Sequence, residues 1–167
     1  MDGSQFHTRF PVVLRFEGIG PENIAGYEKH RKRVGGDTGH ILEHPPAPNR
    51  RLIGSENWAS EALAEIAEIK AQNFAAELEA LVILTANKEW FDADPAAVFD
   101  EGVENNQRIA DFELLSIAWL KEQFGDDVIH ARADLDEEAY HIHAVIMPRV
   151  CVEIKRTDKV TGDKKVI

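Results

Sequence analysis

The chain has a single cysteine, Cys151, in 167 residues. That excludes an internal disulfide and any cysteine-based zinc cluster. No apolar run approaches the ~20 residues of a transmembrane helix. The first residues, Met1-Asp-Gly-Ser-Gln-Phe-His7, lack the basic start and apolar centre of a secretory leader. These absences lead us to expect a cytoplasmic protein with no membrane contact in this segment. Basic residues are outnumbered, 19 Lys and Arg against 30 Asp and Glu, for a net charge of −11. Such acidity counts against gripping nucleic acid over the whole surface, where Lys and Arg must neutralise phosphates. It leaves room for a local basic groove.

What is present suits one globular domain. Apolar residues make up 44% and charged residues 29%, ordinary proportions, and the length supports a core without staples. Positive charge is gathered in places. Lys29, Arg31, Lys32 and Arg33 lie together, Arg50 and Arg51 are adjacent, and Lys155, Arg156, Lys159, Lys164 and Lys165 crowd the C-terminal stretch. The acidic excess lies between Glu56 and Glu138.

In chain order, β-branched and aromatic residues predict a strand over 10–16, with Pro11 near its start. Turn chemistry follows at Gly18 to Pro21, then a basic helix from Ile24 to Val34 stopped by Gly35-Gly36. Tyr27 and His30 share a face of that helix. The stretch 37–49, with Gly39, Pro45, Pro46 and Pro48, reads as a long loop, and its His40 and His44 as exposed loop residues. A brief strand over 50–54 precedes a helix over 58–76, capped by Ser55 or Asn57, with Leu63, Ile66, Ala67 and Phe74 as its apolar stripe. Ala80 to Thr85 is apolar enough for a central strand covered on both faces. Asp94-Pro95 opens a helical stretch that runs to Phe124 and ends at Gly125. Strands are expected over 128–134, 140–147 and 150–155, and Lys159 to Lys165 is a hairpin turn or tail. Of the tryptophans, Trp119 belongs to an apolar helical stripe, and Trp90 is the candidate for stacking on a base. The order predicts an α+β fold with a mostly antiparallel sheet of about five strands flanked by helices. We place its main domain at 1–155 and a basic tail or hairpin at 156–167.

The chemistry concentrates in Asp134-Leu-Asp-Glu-Glu-Ala-Tyr-His141-Ile-His143-Ala-Val-Ile-Met-Pro148. Alternate side chains of a strand share a face, so His141 and His143 project together. Paired imidazoles chelate a divalent cation when a third ligand is at hand, and Asp134, Asp136, Glu137 and Glu138 supply carboxylates. The alternative is a core strand whose two histidines are hydrogen-bonded at the sheet rim. His130, on the preceding strand, shares a face with Asp134 if that strand runs unbroken, but faces away in the register we favour.

Asn23-Ile-Ala-Gly-Tyr-Glu-Lys-His30-Arg-Lys-Arg33, Leu81-Val-Ile-Leu-Thr-Ala-Asn-Lys-Glu-Trp-Phe91 and Trp119-Leu-Lys-Glu-Gln-Phe-Gly125, leading into the His-Ile-His motif, recur in this order in one family. From Asn23 to Pro148 the chain resembles the relaxase domain of the Mob/Pre (MobV-type) plasmid mobilisation family, a branch of the HUH single-strand DNA endonucleases. The resemblance implies an HUH relaxase-like fold and nicking and joining of one DNA strand at a plasmid transfer origin. A divalent ion, Mn²⁺ or Mg²⁺, sits at the motif histidines in such enzymes, and a covalent link forms to the 5′ end. It implies His141 and His143 as metal ligands. The third, typically a histidine seven positions earlier, is Asp134 here, a carboxylate acceptable to Mn²⁺ or Mg²⁺. Glu137 matches the family's acidic residue, which coordinates the ion or accepts a hydrogen bond from the ligand imidazoles. The early-helix histidine, His30, is the implied nucleophile, with Tyr27 one turn away as its rival. The family's Asn-Tyr-Glu/Asp-Leu block is missing, and Asn49-Arg-Arg-Leu-Ile stands in its place. Arg31, Lys32, Arg33, Arg50 and Arg51 are candidate phosphate contacts. The implied partner is single-stranded or supercoiled plasmid DNA, with homodimerisation through sequence beyond this chain. Two competing functions are a non-catalytic DNA-binding descendant of the fold and an unrelated metal hydrolase.

Overall fold

The computed structural model describes residues 12–34, 39–45, 47–71, 79–92, 106–149, 155–157 and 164–166. Its centre is a five-stranded sheet built from β1 (Val12–Ile19), β2 (Arg50–Ile53), β3 (Glu79–Ala86), β4 (Val128–Asp134) and β5 (His141–Ile146), in the spatial order β1-β3-β5-β4-β2. Every neighbouring pair is antiparallel. With its helices this is the α+β architecture expected from the sequence. The histidine strand β5 is the middle strand, so its backbone is hydrogen-bonded on both edges and its two faces carry separate cores.

Alternation along β5 divides those cores. Ile142, Ala144 and Ile146 join Val82, Leu84, Ala131 and Ala133 under α4 (Gln107–Phe124), whose Ile109, Phe112 and Leu120 are buried. Val145 and Met147 pack with Ile24 of α1 (Pro21–Arg31) and with Trp58, Ala59, Ala62 and Ile66 of α2 (Trp58–Ala71) on the other face. His141 and His143 share that second face, beneath α1. Between β3 and α4 lies α3 (Lys88–Asp92). Lys155–Thr157 (β6) pairs antiparallel with Lys164–Val166 (β7). No helix among the described residues is long and apolar enough to cross a membrane.

Several local expectations shift. β1 runs through Gly18 to Ile19, and α1 starts directly after Gly20 with Pro21 in its first turn, where a missing N–H costs nothing. That helix ends at Arg31 rather than Val34, because Arg33 takes a left-handed φ of 57°. The buried stripe of α2 is Trp58, Ala59, Ala62 and Ile66, and Leu63 is 38% exposed. α3 was not foreseen; the Asn87 side chain starts it by accepting from the Glu89 N–H at 2.8 Å. Asn106 caps α4, accepting from Ile109 N–H at 3.2 Å. The expectations for 10–11, 72–76, 93–105, 150–154 and 158–163 lie outside the described residues.

Register is irregular where β2 meets β4 and where β4 meets β5, between Val128 and His130. Gly54 closes β2 beside this bulge with φ of 81°, and a Cβ there would collide with the Ile129 carbonyl oxygen. We predict that Gly54→Ala lowers stability by more than about 1 kcal/mol. The measurement is a urea titration, with a lower midpoint at unchanged slope.

Candidate metal centre

The register of β4 on β5 sets Asp134 opposite His141 and Arg132 opposite His143. Directly opposed residues share a face, so all four side chains meet under α1. The imidazoles of His141 and His143 are 4.5 Å apart, centre to centre. Asp134 is fully buried. Its Oδ2 lies 2.8 Å from His143 Nδ1 and 3.4 Å from His141 Nε2. Its Oδ1 lies 2.6 Å from Arg132 Nη2. Burial alone would raise the Asp134 pKa, but the histidine bonds and the Arg132 charge hold it far below the carboxylate range.

The tautomer of His141 is informative. Its Nδ1 donates to the Ala139 carbonyl oxygen at 2.7 Å, because a carbonyl only accepts. Nε2 then faces Asp134 Oδ2 and Glu137 Oε2, each at 3.4 Å. Three electron-rich atoms converging in a buried place require a cation between them, either a proton or a metal ion. Burial disfavours the protonated ring, yet Asp134 more than offsets this and raises the His141 pKa. His143 moves the opposite way, lowered chiefly by burial. Asp134, His141 and His143 each offer a donor atom, all within 4.8 Å of one another. A carboxylate with two imidazoles, one of them held from behind by a carbonyl, is a donor set that fits a divalent ion such as Mn²⁺.

Glu137 joins this centre to α1. Its Oε1 lies 3.7 Å from His30 Nε2 and 3.6 Å from His40 Nε2. His40 arrives through a bridge between Ile41 and Glu137, with Leu42 N–H donating to the Asp136 carbonyl oxygen at 2.8 Å. It stacks on His30, ring centres 5.3 Å apart. The left-handed backbone of Arg33 turns its guanidinium back onto Asp136, Glu137 and His30, with Nη2 2.8 Å from Glu137 Oε1 and Nη1 3.3 Å from His30 Nε2. His30, His40 and Glu137 also have metal-ligand spacing, but Arg33 already supplies their cation. A guanidinium only donates, so His30 Nε2 accepts and the ring is neutral. Burial first, and Arg33 second, lower its pKa.

No protein-family model matches the chain, and no curated protein matches it by sequence. Solved structures do. The MobM relaxase domain (MOBV; Mob_Pre) bound to plasmid pMV158 oriT DNA, 22 nucleotides with a 3′ thiophosphate and Mn-bound at pH 6.8, superposes with a TM-score of 0.64. Identity is 21%, over 92% of this chain and 74% of that one. The chain has the relaxase-domain fold. The same domain with 22 nucleotides of oriT DNA, Mn-bound at pH 5.5, gives a TM-score of 0.60 at 21% identity, over 81% of this chain and 69% of that one. With 26 nucleotides the score is 0.57 at 21% identity, over 83% and 70%.

Within this relaxase fold the anticipated residues are unevenly gathered. Asp134, Glu137, His141, His143, His30 and Arg33 surround one spot. Tyr27 sits edge-on to His143 at 5.8 Å, but its hydroxyl is buried without a partner, and burial raises its pKa. Arg31 is bonded to Glu28 and Glu56, Lys32 to Glu28, and Arg51 to Glu56. Arg50 pairs in register with Ala133, on the α4 face, and bonds Glu113 at 2.7 Å. Trp58 is core, and Trp90 packs against Phe91 and Phe112 with the Arg108 guanidinium 5.4 Å from its ring centre.

Two participants were not anticipated. His40, expected to be exposed in its loop, is brought in by the bridge between Ile41 and Glu137, a pairing with no local signal. Arg132 joins through the alternation that aligns it with Asp134, which is visible in the sequence. The expectation for His130 is corrected as well. It pairs with Val145 and therefore lies on the Asp134 face, but it is stacked under Trp58 at 5.0 Å rather than among the donors.

Burial, then the charges of Arg31 and Arg132, lower the His130 pKa to about 4. The unfolded residue takes up its proton near about pH 6.5, so its contribution to stability is complete above that pH and is lost as pH falls towards the folded value. We predict that His130→Phe, which keeps a ring on Trp58, removes up to about 1.4 kcal/mol per pH unit of this dependence. Urea unfolding at about pH 7 and about pH 5 measures the difference.

Proposed function

We propose that this protein is a Mob/Pre-type relaxase domain that nicks and rejoins one strand of plasmid DNA at a transfer origin. The observation that carries the proposal is the reach of Glu137, whose two oxygens approach His141 on the sheet and His30 on α1. The nucleophile and the metal ligands therefore address one phosphate. His141, His143 and Asp134 would hold the divalent ion, Mn²⁺ or Mg²⁺. When bound, that ion draws charge from the phosphoryl oxygens and steadies the leaving 3′ oxygen.

The rest falls to the side chains. His30, kept neutral, attacks phosphorus through a ring nitrogen without first losing a proton. An N–P bond forms and the P–O3′ bond breaks. The 3′ oxygen takes up a proton, replaced by the one that the ring's other nitrogen releases, and the 5′ end stays on the protein as a phosphoramidate. Reversal rejoins the strand. Arg33, itself held by Glu137, orients the His30 ring, while Tyr27, with its hydroxyl sealed and its pKa raised, is poorly placed to compete. Arg31, Lys32, Arg33 and Arg51 border the site on the α1 face. The present carboxylate partners of Arg31, Lys32 and Arg51 exchange for phosphates when single-stranded DNA enters, while Arg33 stays on Asp136 and Glu137. Arg50 lies outside this groove.

The pairing of these basic groups with carboxylates favours a second reading, a non-catalytic DNA-binding descendant. Supercoiled plasmid bearing the cognate origin separates the two. We expect nicking with Mn²⁺ and a covalent adduct on the 5′ end. His141→Ala should slow nicking by about 100-fold or more, the scale of losing one electrostatic stabiliser. His30→Ala should abolish the adduct, and Tyr27→Phe should retain it. Tight origin binding with neither metal uptake nor adduct supports the descendant instead.

A further inference from the structure

Asp134 is shared between two kinds of cation partner. Its Oδ2 faces the imidazoles, 2.8 Å from His143 Nδ1 and 3.4 Å from His141 Nε2. Its Oδ1 faces the other way, 2.6 Å from Arg132 Nη2. Arg132 cannot easily swing aside, because it is buried and its Nη1 donates to the Arg31 carbonyl oxygen at 2.6 Å. Arg33 Nη2 adds a second positive charge 3.8 Å from the same Oδ1. One carboxylate oxygen is thus committed to guanidinium groups and one is left for the histidine side.

We propose that Arg132 is a specificity-determining residue of this centre, one that limits Asp134 to a single coordinating oxygen and so selects Mn²⁺ against Ca²⁺. The inference rests on the metal reading above. Ca²⁺ takes more oxygen ligands in a loose shell and uses both oxygens of a carboxylate freely. A cation content with a near-octahedral set that includes imidazole nitrogens needs only one. Holding Oδ1 therefore withholds from Ca²⁺ an oxygen that Mn²⁺ does not require. Removing the guanidinium also removes a positive charge, which strengthens binding of both dications alike. The ratio of the two affinities isolates the carboxylate.

The test is calorimetric titration of Mn²⁺ and of Ca²⁺ into wild type, Arg132→Met, Arg132→Lys and His141→Ala at fixed ionic strength, without DNA. Circular dichroism checks that each variant is folded. We expect the Mn²⁺ preference to fall about tenfold in Arg132→Met, the low end of what altering a ligand's partner does to metal affinity. A smaller fall is expected in Arg132→Lys, whose ammonium keeps the charge but lacks the guanidinium's fixed two-pronged geometry. An unchanged ratio in folded Arg132→Met overturns the proposal. If that variant is unfolded, an unchanged ratio in Arg132→Lys does so. Should wild type take up no Mn²⁺, or His141→Ala bind it as tightly, the centre itself is misassigned and the inference falls with it. Binding that depends on His141, combined with an unchanged ratio, sinks the inference alone.

Discussion

A carboxylate with no access to water, held between two imidazoles and a guanidinium, constrains everything around it. Leaving water costs an ion several kcal/mol unless close partners replace its hydration. Asp134 can therefore exist as an anion only while β4, β5 and α1 keep their present arrangement. Arg132 supplies one partner and is itself anchored to the end of α1 through the Arg31 carbonyl. His143 supplies the other from the neighbouring strand. The same contacts that make the buried charge tolerable fix the helix that carries His30 above the sheet.

The second constraint is the loop between β4 and β5. Asn49 accepts from the N–H groups of Leu135 and Asp136, at 2.7 and 3.2 Å. The bridge at Ile41 holds the next residue, Glu137. With its backbone pinned from two sides, Glu137 can present one oxygen to the sheet histidines and the other to α1. Arg33 completes the arrangement from a backbone conformation that non-glycine residues adopt sparingly. An outlier of this kind, spent on orienting a guanidinium into a histidine cluster, is where functional strain is expected. Asp134 with Arg132 and Asp136 with Arg33 form two carboxylate–guanidinium pairs, and Glu137, also beside Arg33, adds a third carboxylate to the site.

The relaxase fold places this assembly at the centre of the sheet rather than at a mobile rim. β5 is the middle strand, flanked on both edges and packed on both faces. The imidazoles therefore sit on a rigid platform, while the end of α1 and the loop at His40 approach from one side. Rigidly held side chains beside a helix terminus are what the proposed phosphate exchange requires.

The sequence by itself determined the five strands of the sheet, the α+β order and the common face of His141 and His143, because a two-residue repeat and turn residues are properties of local backbone geometry. It also determined that Tyr27 and His30 lie on one helix and that Asp134 is close in the chain to the histidines. Only the tertiary structure decided which of these groups meet. Arg33 finds Asp136 across 103 positions and Arg132 finds Arg31 across 101, pairings set by how a helix and a loop settle on the sheet. His130 shows the same limit, since β4 runs in regular register from it to Asp134 and puts its ring on that face, yet the packing of Trp58 keeps it out of the donor set. Local periodicity says which side chains share a surface. Long-range hydrogen bonds and the need to neutralise a buried charge say what lies opposite that surface.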